Sequence, residues 1–161
     1  MSLINHRRHS DRWHGASQKV GQSAAPLFLD RIDIQCEITP VPFKDISKAA
    51  QGEPSAEIRK RVIRAREIQA ERFSGQKGIH CNAQMSERMI HQYAEPDEAG
   101  ISMLRMAMER LSLSARAYNR ILKVARTIAD LEGCEHVESH HLAEAIGYRT
   151  LDRGDWAERG I

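Results

Sequence analysis

A chain of 161 residues has room for one ordinary domain, or for a small domain with arms. Charged residues make up 29% and aromatics 5%, which favours a helical protein with a core of Leu, Ile, Ala and Met, and no apolar run approaches the length of a membrane-spanning helix. The net charge of +2 is too small to argue for nucleic acid by itself, but eighteen arginines against six lysines favour forked recognition of phosphate or carboxylate.

Residues 1–25 carry His6, Arg7, Arg8, His9, Arg12, His14 and Lys19 with few apolar side chains. They read as a disordered arm; a basic arm touching nucleic acid is the other reading. Residues 26–46 follow as a strand and a linker. From Ile32 to Thr39 apolar and polar residues alternate, with Ile32, Ile34, Cys36 and Ile38 on one face, a strand pattern. No other segment shows it. A lone strand has no ladder to join, which predicts weak anchoring here and partner strands in a longer protein. Val41 to Ile46 is the linker.

Residues 47–153 form the helical part. A charged helix spans 55–73, with Ile58, Val62, Ala65, Ile68 and Phe73 along one side and Arg59, Lys60, Arg61, Arg64, Arg66 and Arg72 set against Glu57, Glu67 and Glu71. Several of these charges are spaced for mutual support. The charged face is open to two readings, a solvated surface or a phosphate-facing one. Ser74 to Ile79 is a loop. A short helix over 86–93 is capped by Ser86, and Pro96 opens another that runs to Leu111 with Ile101, Met103, Leu104, Ala107 and Met108 inside. Ser114 is a good N-cap, since its hydroxyl can accept from a free backbone N–H, and Gly133 tolerates the left-handed turn that ends a helix. Between them Tyr118, Ile121, Leu122, Ala125, Ile128 and Ala129 share one face. Val137 to Ser139 starts the last helix, with Leu142, Ala143 and Ile146 inward. Residues 86–149 thus read as a four-helix unit, and 154–161 as a frayed tail.

Arg116 lies in the first turn of the helix that begins after Ser114. The positive end of the helix dipole mildly disfavours a cation there, by roughly 0.3–1 kcal/mol, while helix N-termini attract anions. A solvated arginine and a phosphate contact both fit. No phosphate-cradling Gly-x-x-x-x-Gly-Lys-Ser/Thr loop occurs, and no strand ends in an Asp-Glu pair suited to magnesium. Cys134, His136, His140 and His141 match no zinc spacing, and His140 and His141 are expected on different sides of a helix, so no metal site is assigned. The cysteines Cys36, Cys81 and Cys134 are odd in number and far apart, which fits a reducing, cytoplasmic location.

Several runs together resemble the C-terminal part of magnesium-chelatase-like AAA+ ATPases of the ComM/YifB type. They are Leu29 to Ile34 (LDRIDI), Arg59 to Val62 with Ala65 to Gln69, Cys81 to Met85 (CNAQM), Leu113 to Tyr118 (LSARAY), Val124 to Leu131 (VARTIADL), and His141 to Ile146 with Tyr148 and Arg149. The resemblance covers about residues 26–153. It implies a mainly α fold, a helical bundle forming the AAA+ lid, preceded by a single orphan strand from an α/β ATPase core that lies outside this chain. In that family Arg31 matches the arginine finger, which reaches the γ-phosphate of a neighbouring subunit, and Arg116 matches the sensor-2 arginine of the lid. The resemblance further implies ATP and magnesium as cofactors of the full-length protein, with neither expected on this piece alone. Its implied partners are the ATPase core and neighbouring subunits of a homo-oligomeric ring, with DNA as the substrate of ComM-type motors and no membrane. The full-length protein is then an ATPase and this piece by itself is not. Two other readings stay open from the residues: a stand-alone arginine-rich helical DNA-binding module, and a protein–protein adaptor.

Overall fold

The computed structural model describes residues 31–36, 38 and 52–149. The arm over 1–25, the start of the 26–46 segment, the whole of its linker and the tail over 154–161 lie outside the described residues. Among the described residues five α-helices follow in order: α1 Ser55–Arg72, α2 Glu87–Tyr93, α3 Glu98–Leu111, α4 Ala115–Glu132 and α5 Ser139–Gly147, with a 3-10 turn at Asn82–Gln84 between α1 and α2.

Local chemistry sets most helix ends. The Ser86 hydroxyl accepts from Met89 N–H, the Asp97 carboxylate from Gly100 N–H and the Ser114 hydroxyl from Ala117 N–H, each satisfying a backbone donor that the first helical turn leaves over. Pro96, expected to open α3, lies two residues before its first residue, and Asp97 takes the capping position. Gly133 closes α4 at φ 76°, with Cys134 N–H returning to Ala129 O at 2.8 Å; a residue with a Cβ strains at that φ. The last helix is entered through His141, whose Nδ1 accepts the Glu138 N–H at 2.9 Å.

Helix α4 is the axis of the bundle. It packs against α5, α1, α2 and the 3-10 turn, and α3 packs on α5. Its expected apolar face is the observed one: Ile121, Leu122, Ala125, Ile128 and Ala129 are buried, and Tyr118 is half-buried against the same core. Leu104, Ile90, Leu142 and Val137 fill that core from the other elements. Phe73 and Tyr93 meet edge to face, centroids 5.9 Å apart.

Four expectations need correction. The strand expected over 32–39 is not seen among its described residues: 32–36 and 38 have no strand structure. No neighbouring strand offers a ladder among the described residues, so the segment spends its backbone groups on the bundle, Gln35 N–H donating to Tyr148 O at 3.0 Å. The apolar side of α1 enters the core only from Ala65 onward; Ile58 and Val62 are 43% and 40% exposed, because the first turns of α1 run past the end of α4, where Arg64 lies against Gly133. Ala143 is exposed and Ala145 takes the inward position, while Ile101 is also exposed.

Candidate functional site

The beginning of α4 is an open, cationic corner. Arg116 is exposed in the first turn, and that turn has no acidic residue, whereas α1, α2 and α3 begin with Glu57, Glu87 and Glu98. With free backbone N–H groups and a guanidinium at one helix end, the corner suits an anion such as a phosphate. Along the same polar face follow Arg120, Lys123 and Thr127. Lys123 Nζ donates to Ala83 O at 2.8 Å, and Thr127 Oγ1 to Lys123 O at 2.8 Å.

Arg120 ties this face to the segment that carries Arg31. Its Nη1 donates to the Arg31 carbonyl and to the Asp33 carboxylate. Arg149 Nη1 donates to Ile32 O, and the Gln35–Tyr148 bond adds a third tie. The Arg31 side of the chain is exposed. Arg31 and Arg116, singled out separately in the sequence, are thus carried on one connected unit: the main chain of the first is bonded by Arg120, which lies about one helical turn after the second on α4.

The runs that gave the chain its family likeness have a different role. Asp130, fully buried, accepts from Arg72 Nη1 at 2.7 Å and Nη2 at 2.5 Å, from Asn82 Nδ2 at 2.7 Å and from Arg126 Nε at 3.1 Å. Arg126, itself 1% exposed, spans from Asp130 to the carbonyls of Cys134 and Glu135. Asn82 also donates to Thr127 Oγ1 at 3.1 Å and accepts from Arg72 at 2.9 Å. Burial pushes the Asp130 carboxyl up, but the hydrogen bonds from Arg72 and Asn82 and the two guanidinium charges outweigh it and hold the group below the usual aspartate range. Burial pulls Arg126 down, against the pull of Asp130. Asn82 and the pair Arg126–Asp130 are therefore structural fasteners joining α1, the 3-10 turn, α4 and the loop after it. No local pattern in the sequence marks them as a unit. The available signal was Arg126 placed N-terminal to Asp130 at i,i+4, the weaker order for a helical pair, which points to partners outside the helix.

His140 and His141 do not diverge as expected. Both Nε2 atoms meet Glu132 Oε2, at 3.0 and 3.1 Å, and the two rings lie 3.9 Å apart. The three ligand-type atoms fall within 4.8 Å of one another. Because His141 Nδ1 accepts a backbone N–H, its ring proton sits on Nε2 and points at Glu132. The arrangement is a carboxylate receiving N–H donors. A metal would need the lone pair where that proton is.

A family model for the magnesium chelatase subunit ChlI C-terminal region matches residues 52–149. The chain is 41% identical over 127 residues to the competence protein ComM of Haemophilus influenzae, covering 78% of this chain and 24% of that protein. It is 42% identical over the same length to the uncharacterized protein YifB of Salmonella typhimurium, with the same shares. An uncharacterized protein of Mycobacterium tuberculosis is 34% identical over 130 residues, or 81% of this chain and 25% of its own. The chain spans about a quarter of the length of the curated relatives it matches.

Proposed function

The chain belongs to the magnesium chelatase subunit ChlI C-terminal family, and we propose that it serves a ring-forming ATPase by presenting two arginines to two different nucleotide sites. Arg116, on the lid, faces the phosphates of its own subunit's ATP. Arg31 reaches the γ-phosphate bound by the neighbouring subunit. ATP, held with magnesium by the core, supplies the phosphoryl group that is transferred to water. The chain's own contribution is fixed positive charge where charge develops in the transition state.

The observation that carries this reading is the Arg120 grip on the Arg31 main chain, which makes the finger segment and the sensor helix one body. The exposure of Arg116, in a first turn without acids, agrees with it. A DNA-binding role for α1 has less support, since Lys60 is paired with Glu57 and Arg61 with Glu53. DNA as the motor's substrate remains part of the proposal through the ComM/YifB likeness. Binding of the full-length protein to duplex DNA, weakening as salt rises, tests that part.

The decisive experiment is ATP hydrolysis by the assembled full-length protein carrying Arg31→Ala or Arg116→Ala. Each variant is expected to lose about a thousandfold or more in turnover, the scale on which a finger arginine acts. Normal turnover in a pure Arg31→Ala assembly removes the finger role and leaves Arg31 as a structural residue.

A further inference from the structure

We propose that Arg120 is a positioning residue for the Arg31 finger, so that the lid of one subunit sets the geometry of the neighbour's hydrolysis site. The inference rests on the finger and sensor-2 reading above and adds a residue and a direction of control to it. Arg120 is one helical turn after Arg116 on the same face of α4, with its side chain mostly covered. One of its nitrogens serves two acceptors on the finger segment, the carbonyl of Arg31 itself and the carboxylate of Asp33. A bond to the residue's own carbonyl constrains the peptide plane from which the finger departs. The Asp33 contact blocks rotation about that point. On the far side Arg149 holds Ile32 O and Tyr148 O holds the Gln35 N–H, so the segment is pinned from α4 and from the end of α5. Since 31–36 form no strand, these ties, two from arginine side chains and one from the Tyr148 main chain, stand in for ladder bonds.

The consequence is mechanical. When nucleotide moves the lid through Arg116, the same helix moves Arg31, whose target lies in the next subunit. Arg120 converts occupancy of one site into finger placement at another. A displacement of about 1 Å at a positioned group costs on the order of a hundredfold in rate, so a modest shift is enough to gate the neighbour.

The test uses the assembled full-length protein. Arg120→Ala should cut ATP turnover by about ten- to a hundredfold, leave nucleotide affinity within about twofold, and raise amide exchange in the peptide containing Ile32–Cys36 while α4 exchanges as before. Arg120→Lys, which keeps the charge and can reach one acceptor, should recover part of the loss. Asp33→Asn should reproduce the defect and stands in if Arg120→Ala folds poorly. The discriminating step is mixing. Arg120→Ala subunits combined with subunits that have intact fingers but no phosphate loop should regain turnover, because each intact site can then meet an intact finger. If mixing restores nothing, Arg120 acts within its own subunit and the proposal is overturned. It is equally overturned if Arg120→Ala and Asp33→Asn turn over normally while Arg31→Ala is dead, a result that leaves the finger reading standing. An active Arg31→Ala assembly overturns both.

Discussion

Arg72 and Asp130, 58 positions apart, meet through two parallel N–H···O bonds of 2.7 and 2.5 Å, with the carboxylate fully buried. This pair closes α1 onto α4. Arg126 and Asn82 complete the ring of donors, so one carboxylate is shared by two guanidinium groups.

Removing that carboxylate leaves two cations facing each other in the interior. Asp130→Ala is expected to cost about 3–5 kcal/mol, a large share of the roughly 5–15 kcal/mol that holds a domain together. The check is equilibrium urea unfolding, with a midpoint much lower than that of the wild type. The acid limb carries a matching signature. Asp130 is held below its ordinary range in the folded state, so its stabilisation is present above the ordinary aspartate titration and is lost as pH falls through the lowered folded value. The Asp130→Ala variant should accordingly lose less stability on acidification than the wild type.

Gly100 lies inside α3, where alanine usually gains about 1 kcal/mol over glycine. Here a Cβ would sit 2.7 Å from Leu142 Cδ1 and 2.8 Å from Pro96 Cβ. Overpacking typically costs about 1–3 kcal/mol, so Gly100→Ala should be destabilising despite its better helix propensity. A melting temperature at or above the wild type would show that α3 can move off α5 without loss.

At the Glu132–His140 contact the pH dependence has the opposite slope from that of Asp130 on the histidine side. The hydrogen bond to Glu132 raises the His140 titration, and the bonds from His140 and His141 lower that of Glu132. Stabilisation from the raised histidine is fully present below its ordinary range and is lost as pH climbs through the folded value. That from the lowered glutamate is present above its ordinary range and is lost on descent through the folded value. The pair therefore contributes most between roughly pH 4.5 and 6.5. His140→Gln should melt slightly below the wild type near pH 5.5, with the gap closing as pH rises; a gap constant from pH 5.5 to 9 would remove the ion pair from the account. Both groups are solvent-facing, so the effect is small.

What the sequence made legible follows the range of the interactions. The caps at Ser86 and Ser114, the left-handed Gly133 and the apolar stripe of α4 depend on neighbours within a few positions, and the residues alone show them. The unformed strand at 32–36 depends on what lies beside it, and alternation cannot report a missing partner. Ile58 and Val62 carry the right period but lie beyond the end of α4, a limit set by where two helices overlap. The Arg72–Asp130 bond and the convergence of His140 and His141 on Glu132 are tertiary, and no local pattern encodes them. Arg120 has the spacing of an ordinary surface arginine, and its tie to the Arg31 segment is likewise tertiary.

The 161-residue chain should not hydrolyse ATP. Its sequence has no loop to cradle phosphates, and in the proposed function Arg31 and Arg116 complete a site that other residues build. Turnover by the pure chain, unchanged by Arg116→Ala, would contradict the lid reading.

Two arginines of α4 give opposite expectations and so separate scaffold from site. Arg116 is exposed in the first turn, and truncating it removes no core volume; Arg116→Ala should leave stability within about 0.5 kcal/mol while abolishing most hydrolysis in the full-length assembly. Arg126 is buried, with its guanidinium shared among Asp130 and the carbonyls of Cys134 and Glu135. Arg126→Ala leaves Asp130 paired with Arg72 but strips the Cys134 and Glu135 carbonyls of their donor, and should cost about 1–3 kcal/mol. The measurements are urea unfolding of both variants and ATP turnover of whatever remains folded. A stable, inactive Arg116→Ala beside an unstable Arg126→Ala assigns the two roles; equal destabilisation by both would place Arg116 in the scaffold and leave the phosphate corner without its charge.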